Sequence, residues 1–266
     1  MLARMIIAAL MLLSVSFAIT LAAPQADIKN GDAVDLGSIG PGQTIAILIN
    51  PQVTSGGIYG QGGTYDIAMA DDLPRGWKST ESKQYQKPLQ VTITADPDAP
   101  EGNYTARIKV VDEFNGEKLG NLTFTVKIRI TYDVMDFEVS PEKILVGPGQ
   151  PARFGITITN KAATGDAFRV TATGAKRWEY KKAVFVPAQS SKTIYYEIVG
   201  NEEEAYTTPI RIVSLASSKI YDEKNVTLTV RSGLVGDLKA TNNGVVVFPI
   251  FQSLAYSLAG LISNLF

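Results

Sequence analysis

Short runs in which apolar or β-branched residues alternate with polar ones fill the middle of this chain, and that period of two limits the fold more than any other feature. The runs are Thr44-Ile-Ala-Ile-Leu-Ile49, Leu89-Gln-Val-Thr-Ile-Thr94, Tyr104-Thr-Ala-Arg-Ile-Lys-Val110 and Leu122-Thr-Phe-Thr-Val-Lys-Ile-Arg-Ile130, followed by Phe154-Gly-Ile-Thr-Ile158, Thr193-Ile-Tyr-Tyr-Glu-Ile198, Ile210-Arg-Ile-Val213 and Val226-Thr-Leu-Thr-Val230. Successive side chains of a strand point to opposite faces, so each run predicts a strand with one face in a core and one in water. Helical periodicity is missing until the last 22 residues. The expectation is an all-β body.

The chain also repeats itself once. Gly40-Pro41-Gly42-Gln43 returns as Gly147-Pro148-Gly149-Gln150, and Trp77, Tyr104 and Asn121-Leu-Thr123 return in the same order as Trp178, Tyr206 and Asn225-Val-Thr227, at offsets of 101 to 107 residues. Pro-Gly predicts a type II turn, because proline presets φ at the first central position and glycine accepts the positive φ needed at the second. A period near 100 residues fits two tandem domains rather than a solenoid. About seven short strands per copy, punctuated by Gly, Pro, Asn and Asp, is an immunoglobulin-like pattern.

Composition removes several function classes. With 25 basic against 26 acidic residues there is no basic footprint for a phosphate backbone, so nucleic acid is excluded as an expected partner. Cysteine and histidine are both absent, which excludes disulfides, thiolate metal sites, Ser-His-Asp and Cys-His triads and the HExxH zinc helix. No cofactor and no catalytic residue is expected.

The segment Phe137-Glu-Val-Ser-Pro-Glu-Lys-Ile-Leu-Val-Gly-Pro-Gly-Gln-Pro-Ala-Arg-Phe-Gly-Ile-Thr-Ile-Thr-Asn160 resembles the opening of CARDB-like immunoglobulin domains, in which a Pro-Gly turn leads into a strand ending in Asn. Asp96-Pro-Asp-Ala-Pro-Glu-Gly-Asn-Tyr104 is similar to the stretch leading into a later strand of that fold. The likeness spans about residues 30 to 232. It implies tandem domains of archaeal and bacterial surface proteins, used for binding, spacing or adhesion, and does not choose among these roles.

The two ends bear on location. Arg4 precedes the apolar run Met5 to Ala23, which reads as a secretory signal peptide cleaved near Ala22 or Ala23, or as an uncleaved signal anchor. In either case the body is expected outside the cytoplasm. At the other end Val245 to Phe266 carries no charge, and 22 residues of helix would measure ~33 Å, about one hydrocarbon core. Gln252, Ser253, Ser257, Gly260, Ser263 and Asn264 would form a small-and-polar stripe suited to another membrane helix. An interfacial helix and a lipid-anchor signal at Ser232-Gly233 are the competing readings. The expected organisation is therefore a leader over 1–23, sandwiches over 24–132 and 133–232, a stalk over 233–244 and a transmembrane helix over 245–266. The fold class is two tandem immunoglobulin-like β-sandwiches with a C-terminal hydrophobic helix.

Candidate functional residues are few. Five glycines in Ser55-Gly-Gly-Ile-Tyr-Gly-Gln-Gly-Gly-Thr64 predict a mobile hairpin tip, with Tyr59 and Tyr65 as candidates to line a recognition surface. No Gly-Lys-Ser/Thr follows the loop, so phosphate cradling is not expected. The acidic groups Asp71-Asp72, Asp96 with Asp98, Asp112-Glu113 and Glu202-Glu-Glu204 read as solvated turns, with calcium as the alternative. Trp77 and Trp178 read as core-edge aromatics in matching places, with sugar stacking as the alternative. Asn103, Asn121 and Asn225 head sequons that either accept glycans or arise by chance in threonine-rich strands. The expected function is a non-enzymatic, membrane-anchored extracytoplasmic element that is structural, adhesive or protein-binding. Its expected partners are membrane lipid, another membrane protein or itself through the C-terminal helix, and a surface protein or glycan. The alternatives are an accessory subunit of a membrane complex and a carbohydrate-binding surface protein.

Overall fold

The computed structural model describes residues 18–113, 116–173 and 179–233. These residues form two compact units: one holds the described residues up to Val134 together with Lys161–Thr164, the other those from Met135 to Asn160 and from Gly165 onward. All regular structure among the described residues is β.

The first unit contains β1 (Ala18–Ala23), β2 (Gln25–Lys29), β3 (Ala33–Ile39), β4 (Thr44–Asn50), β5 (Gln52–Val53), β6 (Gly63–Thr64), β7 (Ile67–Asp72), β8 (Lys78–Thr80), β9 (Leu89–Thr94), β10 (Gly102–Val111) and β11 (Leu122–Ile130). One sheet runs β2-β1-β4-β9-β8 and the other β3-β11-β10-β7, with β5 and β6 forming a small separate hairpin. Alternation decides the faces. In β4, Ile45, Ile47 and Ile49 point inward between less buried neighbours, and they meet Leu21, Leu89, Val91 and Ile93 in one core with Ile108, Phe124, Val126 and Ile128 of the second sheet. Burial of side chains of this size stabilises by about 1.5–3 kcal/mol each.

The second unit contains β12 (Met135–Ser140), β13 (Lys143–Val146), β14 (Pro151–Asn160), β15 (Asp166–Ala172), β16 (Tyr180–Val186), β17 (Ser190–Val199), β18 (Ala205–Ser214) and β19 (Tyr221–Val230). Its sheets are β12-β14-β17 and β13-β19-β18-β15-β16. Phe154, Ile156 and Ile158 of β14 pack with Phe168, Val170, Ile210, Ile212 and Leu228 in a core of its own.

The two copies share their wiring. In each, a short strand pairs in parallel with the last strand, β3 with β11 and β13 with β19, and then crosses to the opposite sheet through the repeated turn. The turn itself is the same object twice. Gly42 and Gly149 adopt φ of 75° and 74°, and the amides of Gln43 and Gln150 donate to the carbonyls of Gly40 and Gly147 at 3.1 and 3.2 Å. The glutamine side chains are buried and close the loop, accepting from the amides of Gly40 and Gly147 at 2.7 and 3.0 Å. Paired sheets of this order are the immunoglobulin-like sandwich, so the tandem arrangement read from the repeat is present in the structure.

The copies differ after their third core strand. In the first unit the next strand, β8, joins β9 of the β1 sheet, whereas in the second unit β16 stays beside β15. A second difference lies at the start. Ala18–Ala23, expected at the end of the leader, is strand β1, paired on one side with β2 and on the other with β4, and its Ile19 and Leu21 are buried in the first core. The first sandwich thus begins several residues before the expected boundary at residue 24.

Each unit also clasps its own last strand. The carboxylate of Glu101, just before β10, accepts from the Tyr132 amide at 2.8 Å and the Thr131 hydroxyl at 2.9 Å, immediately after β11. Glu203, just before β18, accepts from the Ser232 amide at 3.0 Å, immediately after β19. These donors favour the ionised acids, holding the Glu101 carboxyl low through Tyr132 and then Thr131, and that of Glu203 through the Ser232 hydroxyl and amide. Nothing local in the sequence marks either pair.

Candidate recognition surfaces

The glycine-rich segment of the first unit is a built hairpin. Gln52 and Val53 pair with Thr64 and Gly63, and Gly56 bridges Gln61. Glycine is required at the closest approach: a Cβ at Gly62, where φ is +85°, would sit 2.0 Å from the Val53 carbonyl oxygen, while one at Gly63 would displace the Glu117 carboxylate. Glu117 ties the hairpin down twice, its carbonyl accepting from the Ile58 amide at 3.0 Å and its carboxylate from the Thr64 amide. The glycines therefore serve a close approach at Gly62 as well as the turn of the hairpin.

The two tyrosines separate. Tyr59 is 84% exposed at the tip, next to Ile58 at 54%, while Tyr65 is 2% exposed and belongs to the core. Burial, and then the Asp112 carboxylate, push the Tyr65 phenol up from its ordinary value. Tyr65 cannot line an outer surface: it lies between β6 and β7, its amide donates to the Pro51 carbonyl at 2.9 Å, and its ring is packed in the core. Ile58, which sequence reading passed over, takes the second place at the tip.

The second unit shows apolar residues on the outer face of its larger sheet. Phe185, Leu215 and Tyr221 are exposed. Strand register places Phe185 opposite Ala167, and Tyr221 opposite Val213, while the Leu215 amide donates to the Ala167 carbonyl at 2.8 Å. Arg211 covers one side of Tyr221, its guanidinium carbon 4.8 Å from the ring centre. On the smaller sheet Arg153 stacks 3.7 Å over Tyr195. Tyr195 and Tyr196 are neighbours in β17 and so face opposite ways. Tyr196 is buried beside Phe154 and Tyr180, and burial pushes its phenol up to about 12.

Other expected residues take structural places. Trp77 is buried, its ring centre 5.2 Å from that of Tyr104, whose hydroxyl donates to the Pro100 carbonyl at 2.9 Å. A buried indole offers no face to a sugar, so the core-edge reading holds for Trp77, and Trp178 lies outside the described residues. Asp71 and Asp72 each approach Arg107 at 3.9 Å. Asp96 accepts from the Asp98 amide at 2.8 Å, and Asp112 from the Leu119 amide at 2.7 Å. Asn103, Asn121 and Asn225 are all exposed, Asn103 opposite Arg129 in β10 and Asn225 opposite Pro209 in β19. The membrane-helix face of Gln252, Ser253, Ser257, Gly260, Ser263 and Asn264 lies outside the described residues. No helix among the described residues is long and apolar enough to cross a membrane.

No protein-family model matches the chain, and no curated protein matches it. Among solved structures, a chimeric titin Z1Z2 carrying an exogenous decorin peptide is similar at TM-score 0.39 and 12% identity, over 82% of this chain and 99% of that one. The titin immunoglobulin tandem A164-A165 is similar at TM-score 0.29 and 10% identity over the same shares. A CARDB domain from Pyrococcus furiosus, in complex with di-metal ions, is similar at TM-score 0.28 and 17% identity, over 38% of this chain and 92% of that domain. Likenesses this distant add nothing to the assignment, which rests on the strand order and paired turns of this chain.

Proposed function

We propose that this protein is a non-enzymatic, membrane-anchored element working outside the cytoplasm, whose tandem immunoglobulin-like sandwiches present a protein-binding surface. The observation that carries this reading is the hairpin of the first unit. Its tip exposes Ile58 and Tyr59 while its base is held by Glu117 and by the close approach of Gly62 to the Val53 backbone. An aromatic tip on a rigid support loses little entropy on docking, the usual property of a binding anchor. The carboxylates that might have suggested chemistry are engaged in turns, strand clasps and surface ion pairs. The apolar run Val245–Phe266 supports anchoring, and its uncharged small-and-polar stripe supports contact with a partner helix.

The test is photo-crosslinking in intact cells with a reactive group at position 61, comparing the native tip with the Ile58→Ser, Tyr59→Ala double variant. A discrete adduct that the double variant reduces at least several-fold is expected. Equal adducts, or none above background, would overturn the hairpin as the binding surface.

A further inference from the structure

We propose that the outer face of the β3-β11-β10-β7 sheet in the first unit carries a groove that binds an acidic glycan, a sugar chain bearing carboxylate groups. The groove shares no residue with the hairpin, so either reading can fail alone. It measures about 600 Å³ and is lined by Asp35 and Ser38 of β3, Lys127 and Arg129 of β11, and Asn103 and Thr105 of β10. Strand register explains why these six share one face. Lys127 stands between Asp35 and Thr105, and Arg129 between Ser38 and Asn103. Between those two rows β3 carries one extra residue, a bulge at which Gly37 takes φ of 86°, and a bulge bends the strand that forms this wall.

The two cations are not neutralised within the sheet. Among the described residues neither Lys127 nor Arg129 forms an ion pair, whereas Arg107 on the same face lies 3.9 Å from both Asp71 and Asp72. Asp35 stands opposite Lys127, yet its carboxylate accepts from the Gly37 amide at 2.8 Å. Arg129 favours the charge of Glu101 from a distance, but that carboxylate is held by Tyr132 and Thr131. Nor do the cations guard an edge. Lysine blunts strands with a free side, and β11 is paired on both. Two like charges ~7 Å apart on alternate residues of one strand repel each other, a cost that an anionic ligand removes.

The rest of the lining selects the class of anion. Asn103 brings an amide, and Thr105 and Ser38 bring hydroxyls, which suit the hydroxyl groups of a sugar. The large apolar residues beside them turn away: the Tyr104 ring lies against Trp77, and Ile128 is buried in the core. The groove therefore offers no apolar pocket for the anchor of a protein partner, no aromatic face for a nucleobase and no wedge for lipid. Charge and hydrogen bonds remain, and an acidic sugar chain uses both.

Full-length protein extracted in detergent should bind immobilised polygalacturonate in biolayer interferometry, with neutral dextran inert and binding weaker as salt rises. Lys127→Gln combined with Arg129→Gln should weaken binding ~10-fold or more. Lys181→Gln combined with Lys182→Gln removes the same charge from exposed positions of β16 and should leave binding unchanged. Asn103→Ala, which keeps every charge, should weaken it several-fold, and polyglutamate should bind several-fold less tightly than polygalacturonate. No binding of polygalacturonate, or equal losses from the two lysine and arginine pairs, would overturn the proposal. Polyglutamate bound as tightly, or binding indifferent to Asn103, would overturn the assignment to a sugar. A glycan found on Asn103 of the native protein would also overturn it, because the groove would already be filled.

Discussion

Glu101 sits fully in solvent yet is held by two donors that follow the last strand of its unit, and this makes acid a selective probe of the clasp. The Tyr132 amide, the Thr131 hydroxyl and then Arg129 favour its charged form, so its folded value lies below the ordinary 4.5. A lowered carboxyl contributes stability that is complete above the unfolded value and is lost as pH falls through the folded one. Replacing Glu101 by Gln should therefore lower the melting temperature of the protein at pH 7 by a small amount, and the gap to the native chain should close below about pH 4. Melting curves at both pH values check this, and a gap unchanged at acid pH would show that the carboxylate charge plays no part. Glu203 offers the same experiment against Ser232 in the second unit. Neither clasp was legible in the sequence. A glutamate that reaches an amide about thirty residues away leaves no local pattern, and Glu203 stood within an acidic run that reads as a solvated turn.

Among the elements, strands and turns were the readable part. Alternation fixed the inward faces of β4, β9, β11 and β14, since a slip of one residue would turn each buried set to water. Pro-Gly fixed the repeated turns through backbone geometry alone. Where β8 and β16 attach was not readable, because an edge strand with mixed polarity satisfies either sheet. The hairpin lies between these cases: its glycines were visible, but the partner that holds it, Glu117, lies about fifty residues further on. Gly62 and Gly60 now separate close approach from turn conformation. Both have positive φ, but a Cβ at Gly62 meets the Val53 carbonyl at 2.0 Å, whereas one at Gly60 meets nothing within 4 Å. Gly60→Ala should cost about 1–2 kcal/mol, the usual penalty of the left-handed region. Gly62→Ala should cost more and should also open the hairpin, read as faster hydrogen exchange at the Ile58 and Thr64 amides. Equal effects at the two positions would mean that the hairpin is not packed as described.

For the whole molecule, the two apolar runs stand in different relations to the described strands. The N-terminal apolar run passes directly into strand β1 of the first sandwich, so it shares residues with folded structure. The C-terminal run lies outside the described residues: the clasp at Ser232 follows the last strand, and in sequence eleven residues from Gly233 to Asn243 precede Gly244 and the uncharged segment. Removal of the two runs should therefore have different consequences. A stop codon after Gly233 deletes 33 residues, the last 22 of them uncharged with a helical length of ~33 Å that matches a hydrocarbon core, yet among the described residues it removes no strand and no member of either apolar core. The truncated protein should leave the membrane fraction and appear in the extracellular medium or periplasm, with the β-sheet circular dichroism and the melting temperature of the detergent-extracted full chain. Retention in the membrane pellet after carbonate washing would assign the anchor to some other part of the chain. A fall in melting temperature on truncation would instead make the segment part of the folded body, since a pure anchor contributes to location and leaves the stability of the sandwiches untouched.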